Sequence, residues 1–434
     1  MKFDALDLAP SILEAINICG YQQLTQVQCE VIPVALSGAD LMACAETGTG
    51  KTAAFALPLL QRLLTDETNS GSLRGLILTP TRELAIQVAE NISRYGQFTS
   101  LKTLAVYGGA NMNPQRKALA AGVDILVATP GRLFDFIGQH GLDLSEVMTL
   151  VIDEADRMLD MGFVRDIERV KALVAVEHLT HFFSATYSDD VKTLAQKMLQ
   201  SPQWINVTQS RSASSVEQEV YLVEKRRKSE LLSELVGRNN WQQVLVFASS
   251  KESAEHLNNE LTLDGIKSAV FHGDKSQGAR NRALDEFKKG LLRVLVATDV
   301  AARGLDIQAL PLVVNLEPPF DAEDYVHRIG RTGRAGLTGR AISFICPADE
   351  KRLDEIETLI ELKLPRTVLP GYELGAPLPA RYRETEESTT KHVERRKGKP
   401  KQGKRGASEG YNRDGNSAAK GKSSYANRRA DKKR

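Results

Sequence analysis

Between residues 75 and 345 the chain breaks repeatedly into short apolar runs separated by longer amphipathic stretches. The runs are GLILTP (75–80), DILVATP (124–130), LVIDEAD (150–156) and HFFSAT (181–186), then VLVFASS (244–250), SAVFHG (268–273), RVLVATD (293–299), LVVNLEPP (312–319) and RAISFI (340–345). Apolar, β-branched runs without polar alternation suit strands covered on both faces. Helical patterns fill the intervals; GARNRALDEFKKG (278–290) has a glycine at each end. Strand–helix alternation predicts parallel sheets of the α/β type. Polar residues gather where the runs end: Thr79, Thr129, Asp153 and Ser184, then Ser249, His272, Thr298 and Asn315. In open α/β sheets ligands bind beyond those carboxyl ends. Two successive sets of such edges predict two α/β domains.

TQSRSASSVEQE (208–219) is polar and aperiodic, which reads as a linker. The expected division is therefore an N-terminal domain over 1–207, a linker over 208–219 and a C-terminal domain over 220–370. From 371 to 434 the composition turns to Gly, Ser, Lys and Arg, and disorder is expected. Charge sharpens the division. Residues 391–434 hold 16 Lys and Arg against 4 Asp and Glu, a net of +12. Residues 1–390 hold 41 against 51, a net of −10. An acidic body with a basic tail implies a polyanionic partner at the tail, and nucleic acid is the expected one.

No apolar run reaches the roughly 18 residues a membrane helix needs. The N-terminus carries Asp4, Asp7 and Glu14 and lacks the apolar centre of a secretory signal. Cys19, Cys29, Cys44 and Cys346 show no C-x-x-C spacing, so they are read as reduced core thiols of a cytoplasmic protein.

AETGTGKT (45–52) follows the strand-like DLMACA and precedes the helical AAFALPLLQRLL. It fits the P-loop pattern except that Ala45 replaces the first glycine. Gly48 and Gly50 let backbone amides turn toward phosphate, the helix start adds positive potential, and Lys51 reaches the outer phosphates. Thr52 is a Mg²⁺ ligand candidate. Asp153, Glu154 and Asp156 crowd three carboxylates into four positions, which calls for a cation. A magnesium-bound triphosphate supplies one. Asp153 is placed like a Walker-B aspartate holding Mg²⁺, Glu154 like the residue that orients or deprotonates the attacking water. Asp156 is expected to accept hydrogen bonds from a neighbouring element. HRIGRTGRAG (327–336) offers Arg331 and Arg334, which share a face if the segment is helical, as charge stabilisers brought by the second domain.

These residues are joined by PTREL (80–84), Gly108–Gly109, TPGR (129–132), SAT (184–186), VFASS (246–250), QGAR (277–280) and ATDVAARGLD (297–306). In this order, over residues 3 to 350, the chain resembles the bacterial DEAD-box RNA helicases of superfamily 2. The resemblance implies two tandem RecA-like domains that bind ATP and Mg²⁺ and grip RNA across their cleft. It implies ATP contacts from Phe3, Gln28, Ala45, Glu46, Thr47, Gly48, Thr49, Gly50, Lys51, Thr52 and Asp306. Phe3 is expected near the base, Gln28 on the adenine edge, Asp306 on the ribose. Leu24 and Val27 depart from the Pro and Ile usual around that glutamine. RNA phosphate contacts are implied for Thr81, Arg82, Gly109, Thr129, Arg132, Arg280 and Thr298. Coupling of hydrolysis to unwinding is implied for Asp156, Ser184, Thr186 and His327. These are short polar groups and arginines without a base-reading set, so RNA is expected without strong sequence preference. DEADRMLDMGF and LPGYE (369–373) resemble members linked to ribosomal precursor RNA and RNA decay. An RNA clamp that unwinds little and a DNA translocase are the alternative readings.

Overall fold

The computed structural model describes residues 1–45, 48–66, 72–207, 216–302, 307, 310–333 and 339–376. Its core is two seven-stranded parallel sheets. The first contains β1 (Leu41–Cys44), β2 (Gly75–Leu78), β3 (Thr103–Val106), β4 (Ile125–Ala128), β5 (Thr149–Ile152), β6 (Leu179–Ser184) and β7 (Gln203–Asn206), in the order β3-β4-β2-β5-β6-β1-β7. The second contains β8 (Val216–Leu222), β9 (Val244–Ala248), β10 (Ser268–Phe271), β11 (Val294–Thr298), β12 (Leu312–Asn315), β13 (Gly339–Ile345) and β14 (Arg366–Thr367), in the order β10-β11-β9-β12-β13-β8-β14. The two orders are identical once the strands of each sheet are counted from its own start. The lobes are thus topological copies, and the expected tandem α/β architecture is what the chain adopts.

The apolar runs are continuous because each strand feeds two cores. Successive side chains point to opposite faces. Ile77, Val127 and Val151 join one cluster of the first lobe, while Leu76, Leu78, Leu126, Leu150 and Ile152 join the other. In the second lobe Val244, Val246 and Val294 face one way and Leu245, Phe247 and Leu295 the other. Each such side chain stabilises the fold by about 1.5–3 kcal/mol when fully buried. A polar residue inside a run faces helices on one side or the other, so most polarity waits for the strand end; Ser343 within β13 is answered by Asn315 Nδ2, which donates at 3.0 Å.

All nine runs became strands, but the boundaries between the parts shift. β8 begins at Val216, inside the stretch read as a linker; residues 208–215 lie outside the described ones. Its alternating burial hides it: Glu217 is exposed while Val216, Gln218 and Val220 are buried between β13 and β14. The folded chain also continues past 370. Tyr372 is buried with the Arg227 guanidinium 4.2 Å over its ring, and its hydroxyl donates to Glu234 at 2.9 Å. An aromatic ring and a paired cation hold Gly371–Ala376 on the second lobe, so the expected tail cannot begin at 371. Residues 377–434 lie outside the described ones. The cysteines are free; Cys44 and Cys346 are buried, whereas Cys19 and Cys29 are only half-buried. Among the described residues no helix is long and apolar enough to cross a membrane.

Candidate active site

β1 ends at Cys44, and Ala45 is fixed by its amide donating to the Ser184 carbonyl at 3.0 Å. The loop then turns through Gly48 (φ 77°) and Gly50 (φ 97°), left-handed conformations that suit glycine. Helix Lys51–Thr65 starts directly after, with Gly50 as its cap. A side chain at residue 50 would collide with the Gln28 amide. That amide spans two segments: its Nε2 donates to the Gly50 carbonyl at 3.2 Å, and its Oε1 accepts from the Thr25 amide at 3.0 Å. The glutamine expected on an adenine edge therefore also ties its helix, Gln26–Leu36, to the phosphate loop. Thr49 and Thr52 are half-buried beside it, while Glu46 and Thr47 lie outside the described residues.

Lys51 is buried, and its Nζ has no hydrogen-bond partner. A buried ammonium without a partner is costly, so the cradle calls for an anion. The carboxylates answer from β5. Asp153 is buried at the strand end, its Oδ1 accepting the Glu154 amide at 3.0 Å. Burial pushes its carboxyl up to about 7, against the pull of Lys51 and with a further push from Glu154. Glu154 adopts a left-handed backbone (φ 52°), rare for a residue with a side chain. Its Oε2 is buried without a hydrogen bond, and the nearest cation is Arg157 Nη1 at 3.7 Å. Asp156 is committed as expected: Oδ2 accepts the amides of Ala185 and Thr186, both at 3.0 Å. Burial pushes this carboxyl up, but His327, Lys51 and the amides of Arg157 and Ala185 outweigh it and hold it below the usual carboxylate range. Ser184 is buried, and its hydroxyl accepts the Thr186 amide at 3.3 Å. The SAT segment is thus hydrogen-bonded to the DEAD segment.

The second lobe closes this corner. Glu154, Asp156, Arg157, Asp160 and Ala185 share a cleft with Asp321, Glu323, Asp324, His327 and Arg331. Arg331 is 5% exposed. Helix Ala322–Ile329 ends before it, and the Arg331 carbonyl instead accepts the Leu310 amide at 3.1 Å. Arg331 therefore stands outside any helix, so the condition for the expected shared face is not met at Arg331: Gly330 ends the helix and Thr332 bridges to Leu310. Arg334 and Asp306 lie outside the described residues. Arg328, from the same basic run, is spent inside its own lobe on both Asp299 oxygens at 2.6 and 2.7 Å and on Asn315 at 3.0 Å. Arg157 crosses between lobes, donating to the Val300 carbonyl at 3.2 Å.

Around the N-terminus the structure sets a second ring beside the expected one. Phe3 is 4% exposed, and Tyr21 stacks on it with ring centroids 6.3 Å apart. Both rings line a surface cavity with Lys2, Asp4, Asn17, Gly20, Gln22 and Gln23. Tyr21 is the more exposed of the two, at 38%. The sequence signal was present, since Tyr21 opens the GYQQLTQVQ segment, but two aromatics cannot be ranked without knowing which is covered.

The residues expected at the nucleic-acid edge gather at strand ends. Thr81 caps helix Arg82–Tyr95. Arg82 lies beside Gly109, and the Thr129 hydroxyl accepts the Gly108 amide at 3.3 Å. Arg132 donates to the Ala110 carbonyl at 3.0 Å, leaving its Nη1 buried without a partner. Thr298 ends β11 on the other sheet. Arg280 was not expected to be paired: it is buried against Glu83 of the first lobe at 3.0 Å. The same Glu83 oxygen accepts from Arg82 at 2.9 Å. One carboxylate thus holds two guanidiniums from two lobes, where a phosphate diester would compete for them.

Among the described residues no three His, Cys, Asp or Glu side chains form a metal cage. Thr52 and Asp153 offer two oxygen donors. That set suits magnesium, which binds through one or two protein oxygens and the phosphates of its substrate. The unpartnered Lys51 Nζ and Glu154 Oε2 flank the same place, so the residues fit a magnesium–polyphosphate.

Comparison with known proteins agrees with this arrangement. Residues 25–194 match the model of the DEAD/DEAH box helicase family, and residues 227–336 that of the helicase conserved C-terminal domain. The chain is 42% identical over 369 residues to the DEAD-box ATP-dependent RNA helicase CshA of Bacillus cereus, covering 85% of this chain and 70% of that protein. It is 41% identical over 371 residues to CshA of Bacillus subtilis, covering 85% and 74%. Among solved structures it resembles S. cerevisiae Dbp5 bound to RNA and ADP BeF3, with TM-score 0.75 and 29% identity over 90% of this chain and 99% of that one. Mss116p bound to ssRNA and AMP-PNP gives TM-score 0.78 and 26% identity, covering 89% and 81%.

Proposed function

We propose, from the premise that this chain belongs to the DEAD-box family of ATP-dependent RNA helicases, that the cleft described above hydrolyses ATP on lobe closure and so pulls RNA strands apart locally. The observation that carries the reading is the meeting of Glu154 and Asp156 with a second-lobe wall that includes His327 and Arg331, while Lys51, which makes no hydrogen bond, acts by charge on Asp153 and Asp156.

Lys51 and the backbone around Gly48, Thr49 and Gly50 hold the outer phosphates, and Ala45, Glu46 and Thr47 are assigned to the same nucleotide. Thr52 and Asp153 hold Mg²⁺. When bound, that ion neutralises phosphate charge. Glu154 takes the proton of the attacking water or orients it. Arg331, with Arg334, presents guanidinium to charge developing on the phosphoryl group, an effect of about 10³–10⁵ in related enzymes. Because these arginines come from the second lobe, turnover waits for closure. Asp156 and His327 report closure to Ser184 and Thr186. Tyr21, backed by Phe3, offers the ring on which the base stacks; Gln28 and Asp306 address the adenine edge and ribose.

RNA phosphates are taken by Thr81, Arg82, Gly109, Thr129, Arg132, Arg280 and Thr298, with Glu83 released as they bind. Nothing in this set reads base edges, so affinity should vary little with sequence. ATPase assays with RNA and DNA of the same sequence test the reading: strong stimulation by RNA is expected, and stimulation by DNA alone would refute it. We further place the substrate among structured ribosomal precursor or decaying RNAs, on the DEADRMLDMGF and LPGYE segments. In-cell crosslinking should recover those RNAs above abundance, and recovery in proportion to abundance would remove the assignment.

A further inference from the structure

Tyr95 is the last residue of helix Arg82–Tyr95 and belongs to none of the segments discussed so far. It is 2% exposed. Its hydroxyl lies 3.1 Å from that of Tyr21, either oxygen able to donate, and the two rings tilt at 55° with centroids 6.1 Å apart. Burial, and then the bond to Tyr21, pushes the Tyr95 phenol well above its ordinary value, so it stays neutral. A buried tyrosine needs a partner for its O–H, and here the partner is the ring that faces the N-terminal cavity.

Tyr21 needs the restraint. It follows Gly20 (φ 76°) in the turn that closes helix Pro10–Ile18, with its amide donating to the Ile16 carbonyl at 3.3 Å. Phe3 covers one face of the ring and fixes its plane. That contact leaves the ring free to slide or rotate within the plane. A hydrogen bond at the hydroxyl removes that freedom, provided the anchor itself is rigid. Tyr95 meets the condition: it ends a 14-residue helix capped by Thr81, with Leu84, Val88 and Ile92 buried in the core.

We propose that Tyr95 is a positioning residue for the nucleotide base: its buried hydroxyl holds Tyr21 with its open face toward the cavity, so that the stacking surface is ready before ATP arrives. The proposal rests on Tyr21 being the base platform. Without the bond, ATP binding must itself order the ring, and affinity falls by that cost. A ligand lacking a base has nothing to lose.

The test compares ATP with magnesium tripolyphosphate, measuring equilibrium binding to the full chain and to Tyr95→Phe, Tyr21→Phe, their double variant and Tyr21→Ala. Tyr95→Phe should weaken ATP by about 3- to 10-fold, the loss of one neutral hydrogen bond, and leave tripolyphosphate unchanged. In steady state KM for ATP should rise while kcat holds. Tyr21→Phe removes the same bond from the exposed side, where folding is not at stake, and should match it. The double variant should be no worse than either single one. Equal losses for both ligands, additive single effects, or an unchanged ATP affinity in Tyr95→Phe while Tyr21→Ala weakens it, would each overturn the positioning role alone. ATP affinity unchanged in Tyr21→Ala would take the platform down with it.

Discussion

Replacing Glu154 by Gln should stop turnover while leaving the protein able to hold both ATP and RNA. Glu154 has a buried carboxylate oxygen without a hydrogen bond and no cation closer than 3.7 Å. An oxygen in that condition is poised to accept a proton or a hydrogen bond from something not in the protein. The amide has the same shape, and the left-handed backbone at this position is set by the strand–helix turn rather than by the charge. A Gln amide nitrogen, however, cannot take a proton from water. Positioned general bases contribute about 10²–10⁴ in rate, so kcat should fall by that factor. ATP affinity should hold or tighten near neutral pH. The sign follows from Asp153: Glu154 is among the charges pushing that carboxyl up toward about 7. Removing the neighbouring charge lets Asp153 ionise at lower pH and hold Mg²⁺ over a wider range. Single-turnover hydrolysis beside a direct ATP titration checks both halves. Normal turnover would remove Glu154 from its role, and a large loss of affinity would mean that it binds rather than activates.

Lys51→Ala should do the opposite, weakening ATP first. The buried ammonium makes no hydrogen bond in the protein, so its N–H donors are available to phosphate. Hydrogen bonds to charged groups are worth about 1.5–3 kcal/mol net, or roughly 10- to 150-fold in affinity. The loss should also depend on pH. Lys51 is the main charge pulling Asp153 down from the value that burial imposes. Without it the carboxyl ionises only at higher pH, and a protonated Asp153 holds Mg²⁺ poorly. The affinity ratio between wild type and variant should therefore widen from pH 8 to pH 6. A pH-independent ratio would detach Asp153 from the metal. An unchanged affinity would contradict the phosphate cradle itself.

Central strands were legible because their physics is local: β2, β4 and β5 are buried on both faces, and their sequences are almost wholly apolar. The strands that escaped the pattern lie at or beside sheet edges. β7 has one buried residue in four, β14 has only two residues, and β8 alternates because one face of it is partly open. The phosphate loop was legible too, since its glycines, lysine and helix start occupy one short stretch. What stayed hidden depends on partners distant in sequence. Glu83 gathers Arg82 from its own helix and Arg280 from the other lobe, and no spacing rule announces such a triad. Tyr21 joins Phe3 at the N-terminal cavity because exposure, which no spacing shows, decides which rings can meet a ligand. The shared helical face read for Arg331 and Arg334 fails at Arg331, because the helix ends two residues before it, at Ile329.

The matching strand order of the two sheets carries a stoichiometric consequence. In the first lobe, the helix after the first strand opens with Lys51, whose Nζ makes no hydrogen bond within the protein. In the second lobe, the helix after β8 opens with Lys228, equally buried, but its Nζ bonds to Asp349 at 2.8 Å. One lobe leaves its buried ammonium without a hydrogen bond, and the other ties it to a carboxylate of its own. One nucleotide per chain is the expected stoichiometry, and an ATP titration saturating at two equivalents would overturn it.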